Sequence, residues 1–344
     1  MAEAGIDVLA VAANPWRTDY LRYALDVTVA EGTAIALIER GGATRLLLES
    51  PAEAERLGGE WTQSPAARAA EILASYPSQK IAVAPRQALP YALARGPHRQ
   101  SIAPATAMLD RLLLYKLPGE AEAVKRAAVL ADEGYGVFRD SARVGRPEYA
   151  LVADVEAFFR SRGCPENFMI LGSGGVEVRG MHPPGERRIA RGDLVTTELT
   201  PCPDGYYAQI CRTLVVGEPN AAQRRAFGVY LEALEAGVAA VRPGATMGDV
   251  ARAENEVFRR HGLGDYVTSE YTRVRGHGMG LYVDGPAVLE DVTLALEPDM
   301  TLIVHPNTYH PEVGYMVLGD SVRVTPTGCE VLCRTPRELI CVAA

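Results

Sequence analysis

"GDLVTTELTPCPDGYYAQICRTLVVG", residues 192–217, holds two apolar runs on either side of a turn. Pro203-Asp204-Gly205 supplies the turn: proline presets φ, and glycine accepts the positive φ that a tight reversal needs. The flanking runs are rich in Val, Thr, Leu and Ile, residues that suit a pleated, half-buried surface. The segment reads as a hairpin whose two strands face each other. Glu198, in "LVTTEL", is out of place in an apolar strand. Burying a carboxylate without a partner is costly or raises its pKa, so a cationic partner or a general-acid role is expected. Arg212, on the facing strand, is the expected structural partner.

Helix signals lie on both sides of the hairpin. Upstream, Pro118 with Glu120 and Glu122 opens a helix, and amphipathic periodicity runs to about Gly163 with a break at "RVGRPE". Downstream, "NAAQRRAFGVYLEALEAGVAAVRPG" and "TMGDVARAENEVFRRHGL" form a second helix pair. Strand patterns return in "TLIVHPNTY", "GYMVLGDSVRVT" and "GCEVLCR". The order helix, helix, strands thus occurs twice after residue 116, which predicts two pseudo-symmetric halves. The first hundred residues alternate helix and strand, with a hairpin turn at Arg40-Gly41-Gly42. A small α/β domain over 1–115 and a larger domain over 116–344 are expected.

The 344 residues carry a net charge of −8, which repels phosphate backbones and argues against nucleic-acid binding. No apolar run is long enough to span a bilayer, so no membrane partner is expected. The start carries Glu3 and Asp7 and has no basic segment, unlike a signal peptide, so a cytoplasmic location is expected. Six cysteines in such a chain are expected to be reduced. Cys329 and Cys333 lack a companion pair for a zinc site. All but Cys211 read as packed thiols; Cys211 is either a packed thiol in a strand or a candidate nucleophile.

"YKLPGEAEAVKRAA", "RGDLVTTEL", "GYYAQICRTLVVG", "VRPGATMGDV", "RGHGMGL", "ALEPDMTLIVHP" and "GDSVRVT" occur in this order. Together they resemble the pita-bread family of aminopeptidase P, prolidase, methionine aminopeptidase and creatinase. The resemblance implies an α/β (α+β) chain: a small N-terminal α/β domain of the prolidase and creatinase branch, then a pita-bread domain. It also implies a homodimer, with Tyr20 and Arg22 where members reach a neighbouring subunit's pocket. The family's peptidases hold two metal ions with two Asp, one His and two Glu. By resemblance these positions fall on Glu198, Gln209, His277, His305 and Gly319. Both bridging carboxylates are then missing, which implies loss of the dinuclear mechanism. Asp284 stands where the peptidases have a second histidine.

The segment "MHPPGERRIARGDLVTTELTPCPDGYYAQICRTLVVG" resembles creatinase, the member that works without metal, and places His182 on its catalytic histidine. Creatinase has a Glu where this chain has Cys211. The expectation is a metal-independent, creatinase-type hydrolase that cleaves an amide or amidine C–N bond of a small polar metabolite, with no cofactor. His182 would be base and then acid, with His277 and Glu198 also catalytic. His305, Gln209, Cys211, Tyr207 and Asp284 would hold the substrate. Bland readings stand beside these: His182 as a surface-loop histidine, His277 as a core histidine, Tyr207 as packing. Other readings keep the same residues. One Fe or Zn could sit on Glu198, His277 and His305, with Gln209 as a fourth ligand. The scaffold could serve a lyase, or bind a partner without catalysis.

Overall fold

The computed structural model describes residues 1–77, 80–85, 93, 102–281 and 285–343. The chain divides into two compact units, Met1–Leu113 and Leu114–Ala344.

The first unit is built on a six-stranded sheet. Its strands are β1 (Val8–Ala13), β2 (Ala34–Glu39), β3 (Thr44–Leu48), β4 (Glu60–Trp61), β5 (Ile81–Ala84) and β6 (Ala103–Pro104), in the order β4-β3-β2-β1-β5-β6. β2 and β3 form the hairpin expected at Arg40-Gly41-Gly42, where Gly42 takes a φ of +93°. Helices α1 (Asp19–Leu25), α2 (Pro51–Leu57) and α3 (Pro65–Leu73) complete the unit. Ser50 and Ser64 cap α2 and α3 by accepting the backbone N–H groups of Glu53 and Ala67, and a proline opens each helix. Ala69 and Leu73 of α3 pack on Val8, Ala10, Ile35 and Leu47 of the sheet. α4 (Thr106–Leu114) follows.

The second unit opens with α5 (Pro118–Ser141) and α6 (Glu148–Ser161), which lead into β7 (Asn167–Gly174), β8 (Leu194–Pro201) and β9 (Ile210–Val216). Next come α7 (Ala221–Ala240), α8 (Met247–Arg260), β10 (Gly276–Gly278), β11 (Thr301–Val304), β12 (Asn307–His310) and β13 (Gly314–Val317). β14 (Gly319–Thr325), β15 (Gly328–Val331) and β16 (Ile340–Val342) end it. The main sheet has eight strands in the order β10-β11-β14-β9-β8-β7, with β15 on β14 and β16 on β9, while β12 and β13 pair separately. Reciprocal caps start both later helices: Asn220 with Gln223 at α7, and Thr246 with Asp249 at α8. The expected succession of helix pair then strands is present twice.

The β8–β9 hairpin sorts its residues by the period of two. Val195, Leu199, Ile210 and Leu214 pack on Tyr135 and Phe138 of α5 and on Leu151, Val155 and Phe159 of α6. Phe159 reaches this core because residue 134 is glycine: a Cβ there would lie 2.3 Å from the Phe159 ring. Leu194 and Val215, pointing the other way, join Phe227, Tyr230 and Leu234 of α7 and Val250 and Phe258 of α8. Each such fully buried side chain contributes about 1.5–3 kcal/mol.

The same alternation corrects one expectation. Arg212 shares its face with Ile210 and Leu214, whereas Glu198 is the cross-strand partner of Cys211 and lies on the other face. The Arg212 guanidinium donates to Asp320 at 2.7 Å, both side chains being 1% exposed, and to the Gly319 carbonyl at 2.7 Å. Its partner is therefore Asp320 and not Glu198. All six cysteines are free. Among the described residues no helix is long and apolar enough to cross a membrane.

Candidate functional site

The strand register lays out one transverse row. Glu198 on β8 faces Cys211 on β9, and Cys211 faces Gly319 on β14. His305 comes next, directly after Val304, which pairs with Asp320. The row passes over Gly319 because that residue has no side chain. A Cβ there would lie 2.6 Å from the Cβ of His305 and 3.1 Å from that of Cys211. His277 on β10 pairs with Ile303, one turn of the pleat from His305. The two imidazole rings meet edge to face with centroids 5.5 Å apart.

A cavity of about 530 Å³ opens on this row, within the range that holds small ligands. Its floor is Glu198, Gln209, His277, His305 and Tyr315, all buried. Exposed side chains form its mouth: Arg179, Arg273, Glu270 and Phe168.

His277 is 5% exposed, and its Nδ1 lies 3.1 Å from the Gly278 carbonyl oxygen. That oxygen can only accept, so Nδ1 is the donating nitrogen of this contact. His305 is 2% exposed. Burial, and then the neighbouring His277, push its pKa well below the usual histidine range, so the ring is neutral. Its Nδ1 has no hydrogen-bond partner among the described residues. A buried polar atom left in this state is one that a ligand group can satisfy. The Tyr315 phenol is held protonated, by burial first and by Glu198 second.

The remaining candidates lie elsewhere. Gln209 is on the floor, but its side-chain amide donates to Cys211 Sγ at 3.3 Å. Cys211 is beneath the cavity lining, and burial, then Glu198, push its thiol well above the usual range, which opposes a nucleophilic thiolate. Tyr207 turns away from the floor: its hydroxyl donates to Glu166, and its N–H donates to the Gly280 carbonyl at 2.6 Å. His182 is exposed, with Nδ1 2.7 Å from the Pro183 oxygen. The reason is again alternation. His182 bridges to Leu171, a core residue, while Ile170 and Met181 line the cavity. Asp284 lies outside the described residues. In the first unit the Tyr20 hydroxyl is committed to Asp110 at 2.6 Å. Sequence reasoning missed Tyr315, Arg179 and Tyr271. "GYMVLGD" carried a strand signal for Tyr315, but nothing local marks Arg179.

The side chains present do not suit a pair of divalent cations. Among the described residues Glu198 is the one carboxylate on the floor, Gln209 is neutral and turned to sulfur, and a Cβ at 319 would meet the Cβ of His305. One carboxylate offsets little of the charge of two dications. The single Fe or Zn on Glu198, His277 and His305 is not assembled either. Among the described residues no three His, Cys, Asp or Glu side chains stand together as a metal-holding group. Glu198 is separated from the two histidine strands by β9 and β14.

Comparison with known proteins places the chain. Residues 122–326 match the model of metallopeptidase family M24. A Xaa-Pro dipeptidase of Pyrococcus furiosus is 30% identical over 235 residues, 68% of this chain and 67% of the relative. The solved structure of a Xaa-Pro dipeptidase from Bacillus anthracis is 25% identical, with a TM-score of 0.84 over 99% of this chain and 96% of the other. A prolidase from Pyrococcus horikoshii, 24% identical, superposes with a TM-score of 0.86 over 99% and 97%. These matches bear out the pita-bread fold. They overturn the expected creatinase-type, metal-independent hydrolase of non-peptide C–N bonds and the expected absence of a cofactor, because the family is one of metallopeptidases. The misleading signal was "GYY…RT", which is turn and strand chemistry of the hairpin and does not separate branches of the fold. With more than half of its length matched, the chain belongs to metallopeptidase family M24.

Proposed function

We propose that the chain hydrolyses the peptide bond of a dipeptide-sized substrate held in the cavity of its second unit. The observation that carries this reading is the row Glu198–Gly319–His305 with His277 beside it, at the floor of a cavity of dipeptide size. Relatives named Xaa-Pro dipeptidase support a substrate with proline on the leaving side. Glu198 is the group to take a proton from water and pass it to the leaving nitrogen. His277 and His305 contact the scissile amide, and Tyr315 offers its phenol proton to the developing oxyanion.

The floor also supports a finer reading: the carboxylates that the family resemblance places at 305 and 319 have been exchanged together. A Cβ at 319 would lie 2.6 Å from the Cβ of residue 305 and 3.1 Å from that of Cys211, so position 319 has no room for a carboxylate side chain with the strands this close. The homodimer implied by the resemblance belongs to this proposal too, and light scattering of the purified chain tests it.

The decisive assay is turnover of a panel of Xaa-Pro dipeptides by the purified protein, with divalent cations supplied singly, alongside elemental analysis. Turnover is expected, with fewer than two bound ions per chain. Glu198→Gln and His305→Ala should each lower kcat by about 10²–10⁴-fold. No cleavage of any dipeptide under any cation would end the proposal.

A further inference from the structure

His305 stands between two sheets. β11 ends at Val304 in the eight-stranded sheet, and β12 begins at Asn307 in the separate two-stranded pair. His305 and Pro306 carry the chain across, yet His305 is the floor residue whose Nδ1 has no partner among the described residues. Arg275 grips this crossover at both ends. Its carbonyl accepts the His305 N–H at 3.0 Å, and its Nη1 donates to the Asn307 carbonyl. Its Nε donates 2.5 Å to Oδ1 of Asn255 on α8, and its guanidinium carbon stands 4.8 Å from the centroid of the Phe258 ring. Asn255 is anchored in turn: its amide donates 2.7 Å to Glu290, which also accepts Arg259 at 2.6 Å. Asn307 passes the restraint to the cavity, because its Oδ1 accepts the Thr272 hydroxyl at 2.6 Å and both residues line it.

Space filling does not account for this residue. Arg275 is 1% exposed and its Nη2 has no hydrogen-bond partner among the described residues, nor has either carboxylate oxygen of the neighbouring Glu254. A buried cation so poorly compensated is costly, and an apolar side chain of similar volume would fill the space without that cost. What the guanidinium adds is a planar fork, which holds acceptors on two different segments at a fixed separation. We propose that Arg275 is a positioning residue that ties the His305–Asn307 crossover to α8 and so sets the angle at which the His305 ring meets the substrate. The proposal rests on the peptide reading above and names the residue that keeps its floor in place. Arg275 is not among the residues that line the cavity, so its effect reaches the substrate through His305. Misplacing a catalytic group by about 1 Å costs on the order of 10²-fold in rate.

Arg275→Lys keeps the buried charge but cannot hold Asn255 and the Asn307 carbonyl at once. It should lower kcat for Ala-Pro roughly 10- to 100-fold with KM within about twofold. The deciding comparison repeats the substitution in His305→Ala. A residue that acts through His305 has nothing left to position there, so the further loss should be under about twofold. Equal fold-losses in the two backgrounds would overturn the proposal while leaving the hydrolase reading intact. Asn255→Ala removes the far anchor of the clamp and gives the same cycle if Arg275→Lys does not fold. A second readout needs no turnover: ring carbon–proton NMR correlations of protein carrying isotope-labelled histidine, with the His305 signal assigned by its loss in His305→Ala. Arg275→Lys should shift or split that signal and leave those of His182 and His261 in place. If wild type cleaves no dipeptide, the hydrolase reading fails and the NMR comparison still decides the clamp. A His305 signal unmoved by both Arg275→Lys and Asn255→Ala overturns it.

Discussion

The two faces of the β8–β9 hairpin are built from alternate residues of the same fifteen or so positions, yet they obey different rules. Toward α5 and α6, Val195, Leu199, Ile210 and Leu214 fill space, and the one charge, Arg212, is neutralised by Asp320 with both groups 1% exposed. Toward the cavity stand Glu198, Gln209 and Cys211, with Gly319 as a deliberate gap. On the first face the charge is matched inside the protein, although Arg212 Nε and the Tyr135 hydroxyl have no hydrogen-bond partner among the described residues. On the second, His305 Nδ1 is left without a partner among the described residues. A buried surface that leaves polar groups unmatched sacrifices stability in return for a site that a ligand can complete.

The packed face should be the more fragile. Asp320→Ala leaves Arg212 buried without its carboxylate and also releases Arg337, which donates to Asp320 at 2.6 Å. Loss of one partner of a buried pair should cost about 3–5 kcal/mol in urea unfolding. A cost below that of an ordinary surface substitution would remove the contrast between the faces. On the cavity face, Gly319→Ala places a methyl group 2.6 Å from His305 Cβ, a contact that no flexible side-chain tip can relieve. Overpacking of this sort should cost about 1–3 kcal/mol, and turnover should fall with it. The double variant Gly319→Ala, His305→Gly, which removes the opposing Cβ, should regain stability but not turnover.

A third test concerns the buried acid behind this wall. Glu254 on α8 is fully buried beside Gly237, and neither carboxylate oxygen has a hydrogen-bond partner among the described residues. Burial raises its pKa well above 4.5, with Arg275 opposing less strongly. The folded chain therefore keeps this proton where the unfolded chain releases it. Stability contributed here is present at acid pH and is lost as pH rises above about 4.5. Glu254→Gln should flatten that slope and stabilise the protein at pH 7, as followed by thermal unfolding across pH. An unchanged slope would show that the carboxyl is ionised in place. The smallest effect is expected on the surface. Arg225→Ala breaks an exposed pair with Glu312 and should change stability by no more than about 0.5 kcal/mol.

Much of the fold was legible because local rules carry it. The turn at Pro203-Asp204-Gly205, the prolines opening α2, α3 and α5, and the caps at Asn220 and Thr246 are each read from a few adjacent residues. The site was legible only in part. Glu198, Gln209, His277 and His305 do meet at one cavity. His182 and Tyr207 do not, because a one-residue difference in an extended segment decides which face a side chain takes. The chemistry was misjudged for a separate reason: residues that make a hairpin fold look alike in enzymes with different reactions.

The sequence by itself determined the alternation of helices and strands, the hairpin at the centre of the second unit and the presence of a carboxylate where an apolar residue was due. Those follow from backbone preferences and from a period of two, which act over a few residues. Only the tertiary structure decided that Arg212 belongs to Asp320, that His305 fills the space over Gly319, and that Arg179 rests on Tyr309, 130 residues further along. These pairings join segments far apart in the chain, and they are set by strand register and close packing, which no local pattern encodes.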